Sequence, residues 1–273
     1  MTPLLPGFSI ITCTLNSAGW IDESIRSVLC QRNVTIDYVF VDGGSTDGTL
    51  EKLRAIPREI TLIENRRNGI SDAMNAGVAA ARGDIVAHLH SDDYYLHTDV
   101  LISVAHRFAS SGCRWLFGRT ARAIDGQLRP ESYTAPRYSR KRLLNGNFIP
   151  HPATFVERRL LNESGLFDTR LRYAMDYDLW LRLSAIADPF QLDDALTAFR
   201  EHAGSLSTRD RIAAMKEDLA VRLAHTGPKP LRRLMHHARF LVRRRRAQRH
   251  LIEQQHPELQ NHEQTSNRSL NNA

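Results

Sequence analysis

The chain reads as an α/β protein built on a mostly parallel sheet, and three observations predict this. Short runs of β-branched, aromatic and aliphatic residues alternate with segments whose apolar residues recur at helical spacing, the pattern of β-α-β units with right-handed crossovers. The run Tyr38 to Val41 is uninterrupted by polar residues, as in a strand covered on both faces. Two of the strand-like runs lead to acids, Asp42 and the pair Asp92-Asp93, and ligands of open α/β sheets bind beyond the carboxyl ends of the strands.

In order, Phe8 to Leu15 (FSIITCTL) is the first strand, closed by Asn16, Ser17, Ala18 and Gly19. Ile21, Ile25, Val28 and Leu29 mark the helix after it. Tyr38 to Val41 is a second strand ending at Asp42, followed by Gly43 and Gly44, with Ser45 or Thr46 placed to cap a helix from about Thr46 to Arg54. Pro57 ends that helix, and Ile60 to Ile63 is the next strand. Ile70 to Ala81 is an alanine-rich helix closed by Gly83, and Ile85 to Leu89 is a strand leading into His90-Ser91-Asp92-Asp93. Thr98 to Phe108 is predicted as a helix and Cys113 to Ile124 as a strand with a turn at Asp125-Gly126. Pro130 to Pro152, rich in Arg, Pro, Asn and Gly, reads as an irregular excursion over the site. His151 to Val156 is a short strand and Glu157 to Glu163 a short helix. In the helix marked by Leu179, Leu183 and Ile186, Asp176 falls at the start, where the dipole favours its charge. Residues 1–208 thus form a catalytic-sized domain, 209–253 a basic extension of two helices, and 254–273 a polar tail expected to be disordered.

A chain of 273 residues with 42% hydrophobic content can bury a large core. No run approaches the roughly 18 apolar residues that span a bilayer, and the first residues lack a signal-peptide pattern, so a cytoplasmic protein is expected. Three widely spaced cysteines, Cys13, Cys30 and Cys113, fit buried thiols better than disulfides. The formal charge of +7 is uneven: Lys229 to Arg249 holds nine Lys or Arg and no acid. Such a segment points to an acidic partner. Three readings stand for it: an anionic inner-membrane surface with leucines inserted, nucleic acid, or a leucine stripe packed on the domain with solvated arginines. Phe240 is its only aromatic residue, which weighs against nucleic acid.

Taken together, residues 8 to about 208 resemble the family 2 glycosyltransferases, whose catalytic domain has the GT-A fold, a mostly parallel Rossmann-like sheet flanked by helices. The resemblance rests on the opening strand with Thr14 and Asn16, the block VDGGSTDGT, the helix NGISDAMNAG followed by ARGD, the SDD after the fourth strand, HPATF, GLFD and MDYDLWLRL. The GGS form and the DAMN helix are similar to the branch that builds bacterial surface polysaccharides. The resemblance implies transfer of a sugar from a UDP- or GDP-sugar to a saccharide acceptor, polyprenyl-linked in this reading, by an inverting mechanism. It places Thr12, Thr14 and Asn16 at the base and ribose, with Asp42 accepting a hydrogen bond from the base and Gly44, Ser45 and Ser91 nearby. Asp72 and Asn75 would line the same pocket. Asp92 would be the last acid of the DxD element holding Mn²⁺ or Mg²⁺ against the diphosphate, and Asp176 the base.

Chemistry supports these roles. A departing nucleoside diphosphate gathers negative charge that a divalent ion neutralises, and a carboxylate must take the acceptor's proton. One base and no nucleophile implies a single displacement with inversion. His90 replaces the first acid of the DxD, so the imidazole is either a ligand or the site has one carboxylate fewer. Met175 replaces an acid beside the base, and Asp178 is expected to face away and pair with Arg182. A lone histidine such as His151 is more often structural. The rival readings are a nucleotidyltransferase acting on sugar phosphates and a non-enzymatic basic adaptor.

Overall fold

The computed structural model describes residues 5–64, 68–124, 127–130, 135–200 and 210–255. Strands β1 (Phe8–Thr14), β2 (Ile36–Asp42), β3 (Thr61–Ile63) and β4 (Ile85–His88) alternate with helices α1 (Ile21–Leu29), α2 (Thr49–Arg54) and α3 (Ile70–Ala80). They pair in parallel in the order β3-β2-β1-β4, so β1 lies between the strand that ends at Asp42 and the strand that leads to Asp92. All seven residues of β1 are buried, because helices cover both faces of the sheet. Ile11, Cys13, Val39 and Val41 point into one core with α3, and Phe8, Ile10, Tyr38 and Phe40 into the other with α1, the two-residue alternation of a strand.

Two glycines allow this packing. A Cβ on Gly77 of α3 would lie 2.4 Å from Ile11 Cγ2, and one on Gly83 would lie 2.4 Å from the carbonyl carbon of Phe8. The second clash is with backbone, which no rotamer change relieves.

Beyond β4 the sheet becomes mixed. Strand β8 (Thr154–Glu157) runs antiparallel to β4, and β6 (Trp115–Ile124), β9 (Phe190–Arg200) and β5 (Tyr94–Tyr95) follow, with β7 (Gln127–Pro130) paired to β6. The remaining helices are α4 (Val100–Ser111), α5 (Arg140–Leu143), α6 (Arg158–Ser164), α7 (Met175–Ile186), α8 (Arg211–Thr226) and α9 (Pro230–Gln255). Strands β5 and β9 have no counterpart in the reading of the sequence, and α5 interrupts the expected irregular excursion. His151 to Ala153 form a 3₁₀ turn, not the start of a strand. The turn at Asp125-Gly126 and the tail from 256 lie outside the described residues.

Helix α9 corrects one expectation. Its leucine stripe does not pack on the domain: Leu231 is 82% and Leu234 68% exposed, while the opposite face turns His236 and Ala247 inward. Among the described residues, no helix is long and apolar enough to cross a membrane. Cys13 is buried as expected, but Cys30 is exposed.

Candidate active site

The turn after β2 is a closed hydrogen-bond system. Asp42 Oδ1 accepts from the backbone N–H of Gly44 (2.8 Å) and Ser45 (2.7 Å), and Oδ2 from the hydroxyls of Thr14 (2.8 Å) and Ser45 (2.6 Å). Burial pushes the Asp42 pKa up, but these four bonds outweigh it and hold the carboxyl below its usual value. Gly44 adopts φ +95°, which its lack of a Cβ permits. Asn16 locks the turn to β1, its N–H donating to Ser45 Oγ (2.8 Å) and its Oδ1 accepting from Thr46 N–H (2.9 Å). Because Ser45 and Thr46 are spent in this way, α2 starts three residues later than predicted, at Thr49, whose N–H donates to Asp47.

The loop after β4 is held from β9. The Arg200 backbone N–H donates to Asp93 Oδ1 (3.2 Å), its Nε donates to the Asp92 carbonyl (3.1 Å), and its guanidinium pairs with Glu23 and stands 4.8 Å over the Trp20 ring. Asp93 is buried, and that burial, with Asp92 beside it, raises its pKa well above the usual range. Ser91 shares a 2.8 Å hydrogen bond with Ser17. His90 stacks on His151 with ring centroids 5.0 Å apart and planes 13° off parallel, and His88 lies 5.6 Å from His151. Burial lowers the pKa of all three, to about 3 for His88, so the stack is neutral at physiological pH.

Asp176 stands in the first turn of α7. Its Oδ1 accepts from Tyr177 N–H (2.6 Å) and its Oδ2 from Asn147 Nδ2 (3.1 Å). Burial nevertheless pushes its pKa up to about 6, and nearby Asp218 adds to the rise. The residues leading into α7 are gripped by Glu217 of α8, whose Oε1 accepts from the N–H groups of Arg172 (2.9 Å), Tyr173 (2.6 Å) and Ala174 (2.7 Å). These N–H groups precede α7, which starts at Met175, so the carboxylate fixes the segment entering the helix and places a negative charge at its positive end. Asp178 turns away as expected, bonded to Arg182 Nε (2.8 Å) and to His225 (2.8 Å).

A cavity of about 560 Å³ brings together Asn16, His90, Ser91, Asp92 and Asp176, with His151, Trp20, Arg172 and Tyr173 also on its wall. A smaller one of about 260 Å³ adjoins it and shares Asp176, Tyr173 and Ala214. The expectation of three acids around one hollow is thus corrected: Asp92 and Asp176 face it, whereas Asp42 is fully buried with its oxygens occupied, shaping the turn from beneath. Thr12 and Thr14 are buried in β1, Thr12 Oγ1 donating to the Leu89 carbonyl (2.8 Å). Asn75 is also displaced from its expected place, its amide exchanging hydrogen bonds with the Phe167 N–H (2.9 Å) and carbonyl (2.8 Å), and Asp72 beside it is not among the lining residues. His151, read as structural, lines the larger cavity, and Arg200 and Glu217 have no counterpart among the site residues read from the sequence. Only the apolar run into Arg200 hinted at an ordered position.

Asp92 and neutral His90 share the larger cavity, a two-ligand set suited to an ion whose remaining ligands are phosphate oxygens. Among the described residues no cluster of three or more His, Cys, Asp or Glu could hold a metal unaided.

Comparison with known proteins adds the family. The profile of glycosyl transferase family 2 matches residues 9–164. The chain is 30% identical over 189 residues to a chondroitin synthase of Pasteurella multocida, a match covering 67% of this chain and 19% of that one. The chain therefore spans about a fifth of the length of that relative. Among solved structures it is similar to S. aureus TarS in complex with UDP-GlcNAc, with TM-score 0.67, 21% identity, and 86% and 71% of the two chains covered. It is also similar to the mannosyltransferase PcManGT of Pyrobaculum calidifontis in complex with GDP-Man and Mn²⁺, with TM-score 0.63, 20% identity, and 87% and 70% covered. The fold is thus GT-A, and the chain belongs to glycosyl transferase family 2.

Proposed function

We propose that this glycosyltransferase inverts the anomeric centre as it moves a sugar from a UDP- or GDP-sugar to a hydroxyl of a saccharide acceptor during bacterial surface-polysaccharide synthesis. The observation that carries the reading is Asp176, a carboxylate with its pKa pushed up to about 6, opening on the same cavity as Asp92. A base of that pKa is ionised at neutral pH yet basic enough to accept a hydroxyl proton. The acceptor oxygen attacks the anomeric carbon as its proton passes to Asp176. The bond from that carbon to the diphosphate oxygen breaks, and its electron pair leaves on the nucleoside diphosphate. Asp92, with His90, would hold Mn²⁺ or Mg²⁺, which would offset the leaving group's charge. Trp20 and Arg172, on the wall of the cavity, are placed to bind and cover the donor.

The leucine stripe of α9 supports a further part of the reading, attachment to an anionic membrane surface that presents a lipid-linked acceptor. Leu231, Leu234, Leu241 and Val242 are exposed on a helix that also exposes Arg233, Arg239, Arg243, Arg245 and Arg246, an arrangement suited to lying in the headgroup layer.

The test is product analysis after incubation with UDP- and GDP-sugars, with and without Mn²⁺. Release of nucleoside diphosphate with the sugar joined through its inverted anomeric carbon is expected. Release of sugar 1-phosphate, with the nucleoside monophosphate passed to another group, would indicate nucleotidyl transfer and overturn the proposal.

A further inference from the structure

We infer that the smaller cavity beside Asp176 is the acceptor subsite, and that it takes a saccharide carrying an anionic group, a carboxylate or a phosphate, close to the hydroxyl that reacts. The inference rests on Asp176 being the base and the larger cavity holding the donor. A displacement of the kind proposed needs the base within reach of both substrates, and Asp176 is the one carboxylate that the two cavities share. A hydroxyl presented from the smaller cavity meets Asp176 directly.

The far wall of this cavity comes from the C-terminal helices: Arg211 and Asp218 of α8 and Arg243 of α9. Asp218 is already engaged. The buried Arg222, four residues on, pairs with it closely, and Arg243 Nη1 lies 3.7 Å away with half of its side chain exposed. Arg211 is exposed and forms no ion pair among the described residues. The charged side chains that line the cavity, Arg211 and Arg243 against Asp176 and Asp218, sum to zero with Asp176 ionised and to +1 once it has taken a proton. Arg211, and Arg243 held only at 3.7 Å by an Asp218 that Arg222 already engages, leave N–H groups for an anion, since guanidinium binds carboxylate and phosphate through paired N–H groups. The same arginines offset the repulsion that an anionic substrate would meet from Asp176 itself. The cavity is also fixed in place. Asn147 is bonded to Asp176, the Tyr173 hydroxyl donates to Asp210 (2.8 Å), and Glu217 ties α8 to the start of α7.

Calorimetry on the full chain, saturated with UDP or GDP, tests this with two pairs of probes. One pair is a disaccharide containing glucuronic acid and its carboxyl-reduced neutral counterpart. The other is N-acetylglucosamine on a short prenyl diphosphate and the same sugar on a neutral prenyl glycoside. The charged member of at least one pair is expected to bind about tenfold tighter, and which pair responds separates a sugar carboxylate from a lipid-linked phosphate. The double variant Arg211→Gln/Arg243→Gln is expected to lose that preference and Arg211→Lys/Arg243→Lys to keep part of it. Both side chains are exposed, so folding is not at stake, and circular dichroism checks it. Equal binding within both pairs, or a preference that survives in the glutamine variant, overturns the inference. If neither UDP nor GDP binds the wild-type chain, the reading of the larger cavity falls as well. If a nucleotide binds and the pairs do not differ, the acceptor inference falls alone.

Discussion

Replacing Asp176 by Asn should make the protein more stable while nearly abolishing transfer. The carboxyl pKa rises from 3.8 to about 6 on folding, so at neutral pH the folded state carries a charge it disfavours. At 1.36 kcal/mol per pKa unit the cost approaches about 3 kcal/mol, and because the carboxylate opens on two cavities, solvent screening leaves about 1–2 kcal/mol. Asn is isosteric and still accepts from Tyr177 N–H, while its amide meets Asn147 Nδ2 donor to donor because Asn147 Oδ1 is held by Ile149 N–H (3.1 Å), which offsets part of the gain. The sign follows from linkage. Below pH 3.8 the carboxyl is neutral in both states and costs nothing. Between that value and about 6 the unfolded chain ionises first, so stability is progressively lost, and above about 6 the full cost is present. The variant's advantage should therefore vanish near pH 4 and reach a few degrees in Tm above pH 6.5, by the usual scaling of about 2–4 °C per kcal/mol. Transfer should fall by about 10² to 10⁴, the contribution of a general base. Thermal melts of both proteins from pH 4 to 8, with rates measured in parallel, decide the matter. A variant that melts lower at pH 7.5, or one that retains near-normal transfer, refutes the reasoning.

Other expectations follow from single contacts. Glu217→Ala leaves three N–H groups without their acceptor and should lower both Tm and kcat, with Glu217→Gln, which keeps one carbonyl oxygen, falling between; melts and steady-state rates read both. Gly83→Ala forces a methyl to within 2.4 Å of the Phe8 carbonyl carbon and should cost more than about 2 kcal/mol in urea titration. Changing Leu231, Leu234 and Leu241 together to Gln should leave the melting curve nearly unmoved, since all three are exposed, and should weaken sedimentation with anionic liposomes.

Much of the parallel half of the sheet is legible because its strands are short, apolar and bounded by turn residues, so local composition and buried position coincide. Strand β9 is not, for a physical reason. Asp193 and Asp194 interrupt its pattern where the pairing with β6 shifts register between Phe117 and Arg119, and a strand that slips there no longer alternates cleanly. Strand β5, two residues long, exists only through its pairing with β9. Asp42 shows a different limit. Its place at a strand end is readable, but whether a carboxylate there faces a ligand or its own turn depends on Thr14 and Ser45 reaching it, and spacing does not reveal that.

Asp176, the proposed base, raises the same question more sharply. The family match ends at residue 164, before Asp176; of the groups around it Asn147 lies inside the match, whereas Glu217 and Asp218 lie far beyond it. Glu217 acts on backbone N–H groups 43 to 45 residues earlier, and such groups carry no side-chain identity that a motif could record. Read as sequence, residues 209–253 look like a basic appendage that could be lost without touching the chemistry. In the fold, α8 supplies the carboxylate that holds the segment entering α7 and, with α9, a wall of the cavity against Asp176. Removing them would expose the start of α7, hydrate Asp176 and return its pKa toward the ordinary carboxylate range. A base of that kind accepts protons poorly at neutral pH, so the extension tunes the residue it surrounds as well as enclosing it.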